Sequence, residues 1–214
     1  MLKPILVLMT RWPAPSRCKT RLAKDIGPYR AALIQQRLIH HTIAVAKAIK
    51  LKGLIETKLA IDGIGNQRVS AWARNEGFSL ACSQGSGNLG LKMKRQLVLA
   101  QRKSTSKSQS SRDTILIGTD VPSLCTSDID SALNSLKNND LVIGPANDGG
   151  YWLIGFSKNI LSPVISWPFS GIKWGTTSVF KETLRKAKEE GVNYKLLNRK
   201  DDLDFITDLS LWNI

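Results

Sequence analysis

Short apolar runs separated by amphipathic stretches set the rhythm of this chain. Ile5-Leu6-Val7-Leu8-Met9 is continuously apolar and bounded by polar and proline-containing sequence. That is the pattern of a strand buried on both faces of a parallel sheet. Leu59-Ala60-Ile61, Phe78 to Cys82, Thr114 to Gly118 and Leu141-Val142-Ile143 repeat it, and Tyr151 to Phe156 and Asn193 to Leu197 add two further strands. Between them the period lengthens. Ala31, Leu33, Ile34, Leu38, Ile39, Ile43 and Ala46 recur at helical spacing. Val69 to Asn75 predicts a short helix with Gly77 just past its end, Leu89 to Arg102 a longer one, and Ser127 to Leu136 one capped by Thr126 or Ser127. Val179, Phe180, Leu184 and Ala187 share a helical face stopped by Gly191, and Leu203 to Leu211 reads as a terminal helix. Strands alternating with helices predict an α/β fold, a mostly parallel sheet with helices on both faces.

The chain has 214 residues and no linker-like segment, so residues 1–214 are expected to form a single domain with a full core. Lys103 to Arg112 is polar and low in complexity, a surface loop within that domain. The apolar run near the start is far too short to span a bilayer or to act as a signal core. The cysteines, Cys18, Cys82 and Cys125, are odd in number and widely spaced, which argues against a disulfide framework or a structural zinc. The cytoplasm is the default compartment for such a chain. His40 and His41 are adjacent in a predicted helix, point to different faces, and make a poor catalytic pair.

The formal net charge is +14, and residues 1–50 hold ten Lys or Arg against one acid, Asp25. Such an excess attracts polyanions or phosphorylated small molecules. A solvated basic surface accounts for most of it. Nucleic-acid binding would need aromatics interleaved with basic residues or a recognition helix, and neither pattern is present, so no specific nucleic-acid partner is expected. The exception to the solvated surface is the loop after the first strand, Trp12-Pro13-Ala14-Pro15-Ser16-Arg17-Cys18-Lys19-Thr20-Arg21-Leu22. Prolines stiffen it, and Arg17, Lys19 and Arg21 repel one another unless an anion lies between them. A diphosphate or triphosphate is the natural guest. The string is not a P-loop. Cys18 reads as a small filler residue, its nucleophilic use being the alternative.

Two further blocks carry chemistry. Ile115-Leu116-Ile117-Gly118-Thr119-Asp120-Val121-Pro122 ends a buried strand in an aspartate, and Gly144-Pro145-Ala146-Asn147-Asp148-Gly149-Gly150-Tyr151-Trp152 places a second aspartate before two glycines. Ligands of open α/β sheets bind beyond the carboxyl ends of strands, and magnesium takes one or two carboxylates plus phosphate oxygens. Asp148-Gly149 is equally the signature of a hairpin turn. Gly85-Ser86-Gly87-Asn88-Leu89-Gly90 satisfies G-x-G-x-x-G but follows the third strand, so it reads as a glycine-rich turn opening a helix, its amides free to touch ligand. Asp201, Asp202, Asp204 and Asp208 form a late acidic cluster that serves either as a helix cap or as a second metal carboxylate.

In order, P-x-P-x-x-x-K-T-R-L, G-x-L-G-x-x-M, G-x-D-x-P, G-P-A-x-D-G-G-Y-x-L-I-G and D-x-D-x-x-x-D-L resemble the DUF2064 family, described as glycosyltransferases associated with radical-SAM proteins, in the GT-A or nucleotide-diphospho-sugar transferase superfamily. The likeness runs from Ile5 to about Leu209, and the chain is more distantly similar to 2-phospholactate and molybdenum-cofactor guanylyltransferases. The resemblance implies a Rossmann-like GT-A fold. It implies Lys19 and Arg21, with Arg17 and Gly90, as nucleotide contacts, and Asp120 and Asp204 (or its neighbour Asp202) as ligands of Mg²⁺ or Mn²⁺. Asp120 and Asp148 become the catalytic carboxylates, and Asp148, Gly149, Gly150 and Tyr151 face the sugar or acceptor. Three positions depart from the family pattern: Ser16 for glycine, Asn88 for aspartate and Phe205 for threonine. The implied activity is glycosyl transfer from a nucleoside-diphosphate sugar to a small-molecule acceptor. The alternative is nucleotidylyl transfer from an NTP with release of pyrophosphate, and an inactive relative or a basic nucleic-acid-binding module is the remaining possibility.

Overall fold

Seven strands form one mixed sheet in the order β3-β2-β1-β4-β6-β5-β7. They are β1 (Ile5–Arg11), β2 (Glu56–Asp62), β3 (Leu80–Ser83), β4 (Thr114–Ile117), β5 (Leu141–Pro145), β6 (Tyr151–Phe156) and β7 (Tyr194–Leu196). The helices are α1 (Ala23–Ile26), α2 (Pro28–Leu51), α3 (Asn66–Asn75), α4 (Leu89–Gln101), α5 (Thr126–Ser135) and α6 (Val179–Glu189). The structure is a computed structural model, described for residues 2–101, 111–161 and 165–212. Most of the polar loop expected at 103–112 lies outside the described residues.

All paired strands run parallel except β6, which is antiparallel to both β4 and β5. The side-chain period of two sorts β1 cleanly. Leu6 and Leu8 join the core under α2, α3 and α5, while Ile5 and Val7 join the one under α4 and α6. Both faces are therefore buried, which is why the strand reads as an unbroken apolar run. In register, Leu8 lies opposite Ile117, so the segment after β4 emerges beside Thr10. A third cluster, Leu22, Leu38 and Leu203 with Ile34, Leu209 and Trp212 against it, packs the end of the chain onto α1 and α2.

Two local expectations need correction. Of the helix expected from Leu203 to Leu211, residues 203–205 are not helical, and only Ile206–Leu211 coil, as a 3₁₀ helix. The amides that an α-helix would use are engaged elsewhere: Leu203 donates to the Asp120 carbonyl at 2.9 Å, and Asp204 and Phe205 donate to the Asp208 carboxylate at 2.8 and 2.7 Å. Second, α5 is capped from Cys125 rather than Thr126 or Ser127, the Cys125 amide donating to Asp128 at 2.8 Å.

Candidate active site

The loop after β1 turns twice through left-handed backbone, at Ser16 (φ 63°) and Lys19 (φ 45°). Between them Cys18 is buried, its thiol 3.3 Å from the Ala14 carbonyl. Burial pushes that thiol above its ordinary pKa, so it is poorly suited to act as a nucleophile and matches the filler reading. The turns send alternate side chains in opposite directions. Lys19 points inward, with a side chain only 3% exposed. Arg17 points out into a small cleft of about 310 Å³ with Arg11, Trp12 and Asp62, so it does not join Lys19 and Arg21 as the spacing suggested.

The Lys19 ammonium lies 2.6 Å from Asp120 Oδ1 and 3.4 Å from Asp204 Oδ1. Arg21 holds the other oxygen of Asp204 at 3.1 Å, and its guanidinium lies 5.5 Å above the Phe205 ring. The aromatic ring at position 205 thus becomes a platform that orients Arg21. Burial works against the Lys19 charge, but Asp120, Asp204 and Asp202 outweigh it and raise its pKa above the ordinary lysine value. The same crowding favours the charge on Lys19 and disfavours the charge on Asp202. Burial first, then the Asp120 and Asp148 carboxylates, push its pKa from 3.8 up to about 7.

Two clefts meet at this cluster. One, of about 700 Å³, is lined by Arg11, Lys19, Arg21 and Lys92, with Thr10, Thr119, Gln35 and Gln84 as polar floor. Its floor is already hydrogen-bonded: Thr10 to Thr119 at 2.9 Å, Gln35 to Thr119 at 3.4 Å, and Gln84 Nε2 to the Thr10 and Ala60 carbonyls at 3.0 Å. Lys92 is paired with Asp62 at 2.8 Å. The other cleft, of about 480 Å³, carries Asp120, Asp148, Asp202 and Asp204 with Tyr151 and Trp174. Asp120, Asp204, Arg21 and Trp174 line both.

Asp148 is in the tight β5–β6 connection, so the hairpin reading of Asp-Gly holds, and the same turn presents Asp148 to the cleft. Its carboxylate accepts the Gly150 amide at 2.7 Å. Gly149 adopts φ 89°, and a Cβ there would lie 2.1 Å from the Thr177 carbonyl oxygen. The Phe180 amide reaches the Gly149 carbonyl at 2.9 Å. Tyr151 lines the cleft with its ring, while its hydroxyl meets Met93 Sδ at 3.8 Å and its pKa is raised by burial.

Gly90 is buried beneath Trp174, whose Nε1 would lie 2.5 Å from a Cβ at that position. The close approach that requires glycine there is to an indole ring. Asn88 caps α4 by accepting the Leu91 amide at 3.0 Å, and Gly85 and Gly87 turn through positive φ just before it. Asp208 and Asp201 are structural: Asp208 holds the Asp204 and Phe205 amides, and Asp201 accepts from Asn147. His40 pairs with Glu76 and His41 with the Leu124 carbonyl, apart from the site and from each other. Sequence reasoning missed Trp174, Thr176, Thr177 and Lys92 as wall residues. Trp174 to Thr177 belong to no periodic segment; their one signal is an aromatic residue in irregular sequence.

Among the described residues no group of three or more His, Cys, Asp or Glu side chains is arranged to hold a metal ion. A magnesium-type ion needs less from the protein, one or two carboxylates completed by substrate phosphates. Asp120 and Asp204 fit that demand. They already share one cation, the Lys19 ammonium, which sits against Oδ1 of both carboxylates.

The sequence profile of DUF2064, described as "Uncharacterized protein conserved in bacteria", matches residues 44–176. No curated protein matches the chain in sequence. A solved structure from Desulfovibrio desulfuricans G20, provisionally named a nucleotide-diphospho-sugar transferase, is similar at TM-score 0.84 and 24% identity, over 99% of this chain and 86% of that one. A 4-diphosphocytidyl-2C-methyl-D-erythritol synthase from Anaerococcus prevotii DSM 20548 is similar at TM-score 0.57 and 13% identity, over 99% and 97%. Rv0371c of Mycobacterium tuberculosis H37Rv, in a complex with manganese, is similar at TM-score 0.50 and 12% identity, over 99% and 98%. Likeness at these identities shows the fold, an α/β fold of the nucleotidyltransferase and GT-A type. No helix among the described residues is long and apolar enough to cross a membrane.

Proposed function

The chain belongs to the DUF2064 family, and from that premise we propose that it is a nucleotide-dependent transferase that moves a sugar from a nucleoside-diphosphate sugar to a small-molecule acceptor. One observation carries this reading: a basic cleft and an acidic, aromatic cleft meet at Asp120, Asp204 and Arg21, with the Lys19 ammonium against both carboxylates. The first cleft has the chemistry of a diphosphate site, with Arg11, Lys19, Arg21 and Lys92 outnumbering Asp62, Asp120 and Asp204 around an uncharged hydrogen-bonding floor. The acidic cleft has the chemistry of a sugar site, with carboxylates for hydroxyl groups and Tyr151 and Trp174 rings for the apolar faces.

Lys19 and Arg21 bind and orient the diphosphate and offset charge as it leaves. An acceptor hydroxyl oxygen bonds to the anomeric carbon, the bond from that carbon to the diphosphate oxygen breaks, and the hydroxyl proton passes to a carboxylate, for which Asp148 is the candidate. Asp120 and Asp204 would hold a divalent ion, Mg²⁺ or Mn²⁺, which would further neutralise charge on the leaving diphosphate. The crystallised manganese complex of the Rv0371c relative supports that choice.

A second reading, nucleotidylyl transfer from an NTP, is favoured by the number of cations in the basic cleft. The two differ in products. The protein is incubated with a panel of nucleoside-diphosphate sugars and NTPs, with Mn²⁺ and a mixture of small acceptors. Release of nucleoside diphosphate from a nucleotide sugar supports the first, and release of pyrophosphate the second. Absence of both, with no melting shift from any nucleotide, would sink the transferase reading.

A further inference from the structure

The Lys19 ammonium stands between the two carboxylates assigned above to a divalent ion. It lies 2.6 Å from Asp120 and 3.4 Å from Asp204. Arg21 takes the remaining oxygen of Asp204 at 3.1 Å. Both oxygens of Asp204 are thus committed to protein cations, and the Oδ1 of Asp120 is held by the Lys19 ammonium. The position of Lys19 is enforced by its surroundings. It holds left-handed backbone at φ 45°, follows the buried Cys18, and its carbonyl accepts the Ala23 amide at 2.8 Å where α1 begins. Unfavourable backbone that persists at a site is held there by the structure around it.

We propose that Lys19 is a built-in counter-cation that keeps Asp120 and Asp204 closed to divalent metal until donor phosphate draws its ammonium away, so that metal and donor bind together. The inference rests on the transferase reading above and adds an order of binding to it. An ammonium and a divalent ion cannot both sit between two carboxylates without strong repulsion at such distances. A diphosphate changes the balance. Lys19 lines the basic cleft, where phosphate oxygens would arrive, and moving its charge onto them frees the two carboxylates for the metal. The protein would then avoid filling the site with metal alone, a state in which Lys19 would be unpaired and buried.

The test uses Mn²⁺ as the metal and inorganic pyrophosphate as the donor stand-in, with Mn²⁺ binding followed by electron paramagnetic resonance. Wild type should bind Mn²⁺ weakly alone and at least about tenfold more tightly with pyrophosphate, a coupling of ordinary allosteric size. Lys19→Met should bind Mn²⁺ alone at least about tenfold more tightly than wild type and lose most of the coupling. Lys19→Arg, which keeps the charge, should restore weak binding of Mn²⁺ alone. A purely structural lysine would not produce that pattern. If Lys19→Met binds Mn²⁺ alone no better than wild type while pyrophosphate still promotes binding in both, the counter-cation idea falls and the metal-dependent reading stands. If no variant binds Mn²⁺ under either condition, both fall together. Should Lys19→Met not fold, wild type still decides: equal Mn²⁺ affinity with and without pyrophosphate overturns the proposal.

Discussion

The backbone amide of Leu203 donates to the carbonyl of Asp120 at 2.9 Å. This one bond brings the late acidic segment to the end of β4, so that Asp202 and Asp204 flank Asp120 across the mouth of the sheet. Leu203 itself is fully buried with Leu22 and Leu38, which anchors the arrangement by burial of apolar surface. The carboxylate cluster is therefore a product of the late segment packing against the end of β4.

Asp120→Asn should fold and melt somewhat lower, because Lys19 keeps Asp204 but loses its nearer partner. A cost of about 1–3 kcal/mol is the scale for a buried charged group losing one hydrogen-bonding partner. The variant should also lose the Mn²⁺-dependent part of any nucleotide-induced melting shift. For wild type that shift corresponds to about 2.7 kcal/mol at a hundredfold excess over Kd. A variant that keeps the whole shift would show Asp120 to be uninvolved in metal binding.

Asp202 predicts a pH dependence of stability in the metal-free protein. Its folded pKa of about 7 lies above the ordinary 3.8, so the folded state holds a proton more tightly than the unfolded one. The stability it contributes is fully present below 3.8 and is lost as pH rises through about 7. Asp202→Asn should consequently raise Tm most on the alkaline side of that window, by several degrees at about 2–4 °C per kcal/mol, and hardly at all near its acid limit. Melting curves across the range check this; a gain independent of pH would assign the effect to packing.

Ser16 holds φ 63°, the left-handed backbone that favours glycine. A side chain in that conformation costs roughly 1–2 kcal/mol, partly offset because glycine loses more freedom on folding. Ser16→Gly should raise stability by about 0.5–1 kcal/mol without altering ligand shifts. Chemical denaturation of both forms measures it directly, and a loss of stability would mean that the hydroxyl has a structural role.

Gly149→Ala should be damaging. It combines φ 89° with a Cβ 2.1 Å from the Thr177 carbonyl oxygen, a backbone atom that cannot swing aside. A cost of about 2–4 kcal/mol is expected from strain plus overpacking. Transfer activity should fall further than stability alone explains, since the turn that carries Asp148 would shift. A variant with unchanged Tm would show that the 177–180 segment gives way freely.

The strand count, the helices on both faces and nearly every element position were legible in the apolar periodicity, because burial on both sides leaves an unbroken run such as Ile5–Leu8 in β1. That Asp120 and Asp148 line one cleft has a related reason: a carboxylate a few residues beyond a buried strand emerges at the sheet edge. Residues 203–205 were misread as helix because their amides are taken by Asp120 and Asp208, partners that no local pattern reveals. Arg17 was grouped with Lys19 and Arg21 by spacing, yet two left-handed turns send it to another cleft. Gly90 was read as a ligand contact, and an indole from a distant irregular segment covers it. Trp174 had no periodic signal at all.

What the amino-acid order determined by itself is the sheet, the helices that cover it, and the residue types offered at its carboxyl edge, because these follow from local propensity and from the alternation of burial. What the tertiary structure alone decided is which charges meet. Lys19 and Asp204 lie near opposite ends of the chain, and their encounter at 3.4 Å depends on Leu203 being drawn into a pocket with Leu22 and Leu38. Electrostatic pairing falls off with distance in space and takes no account of distance along the chain, so only the folded arrangement could place an ammonium between those two carboxylates.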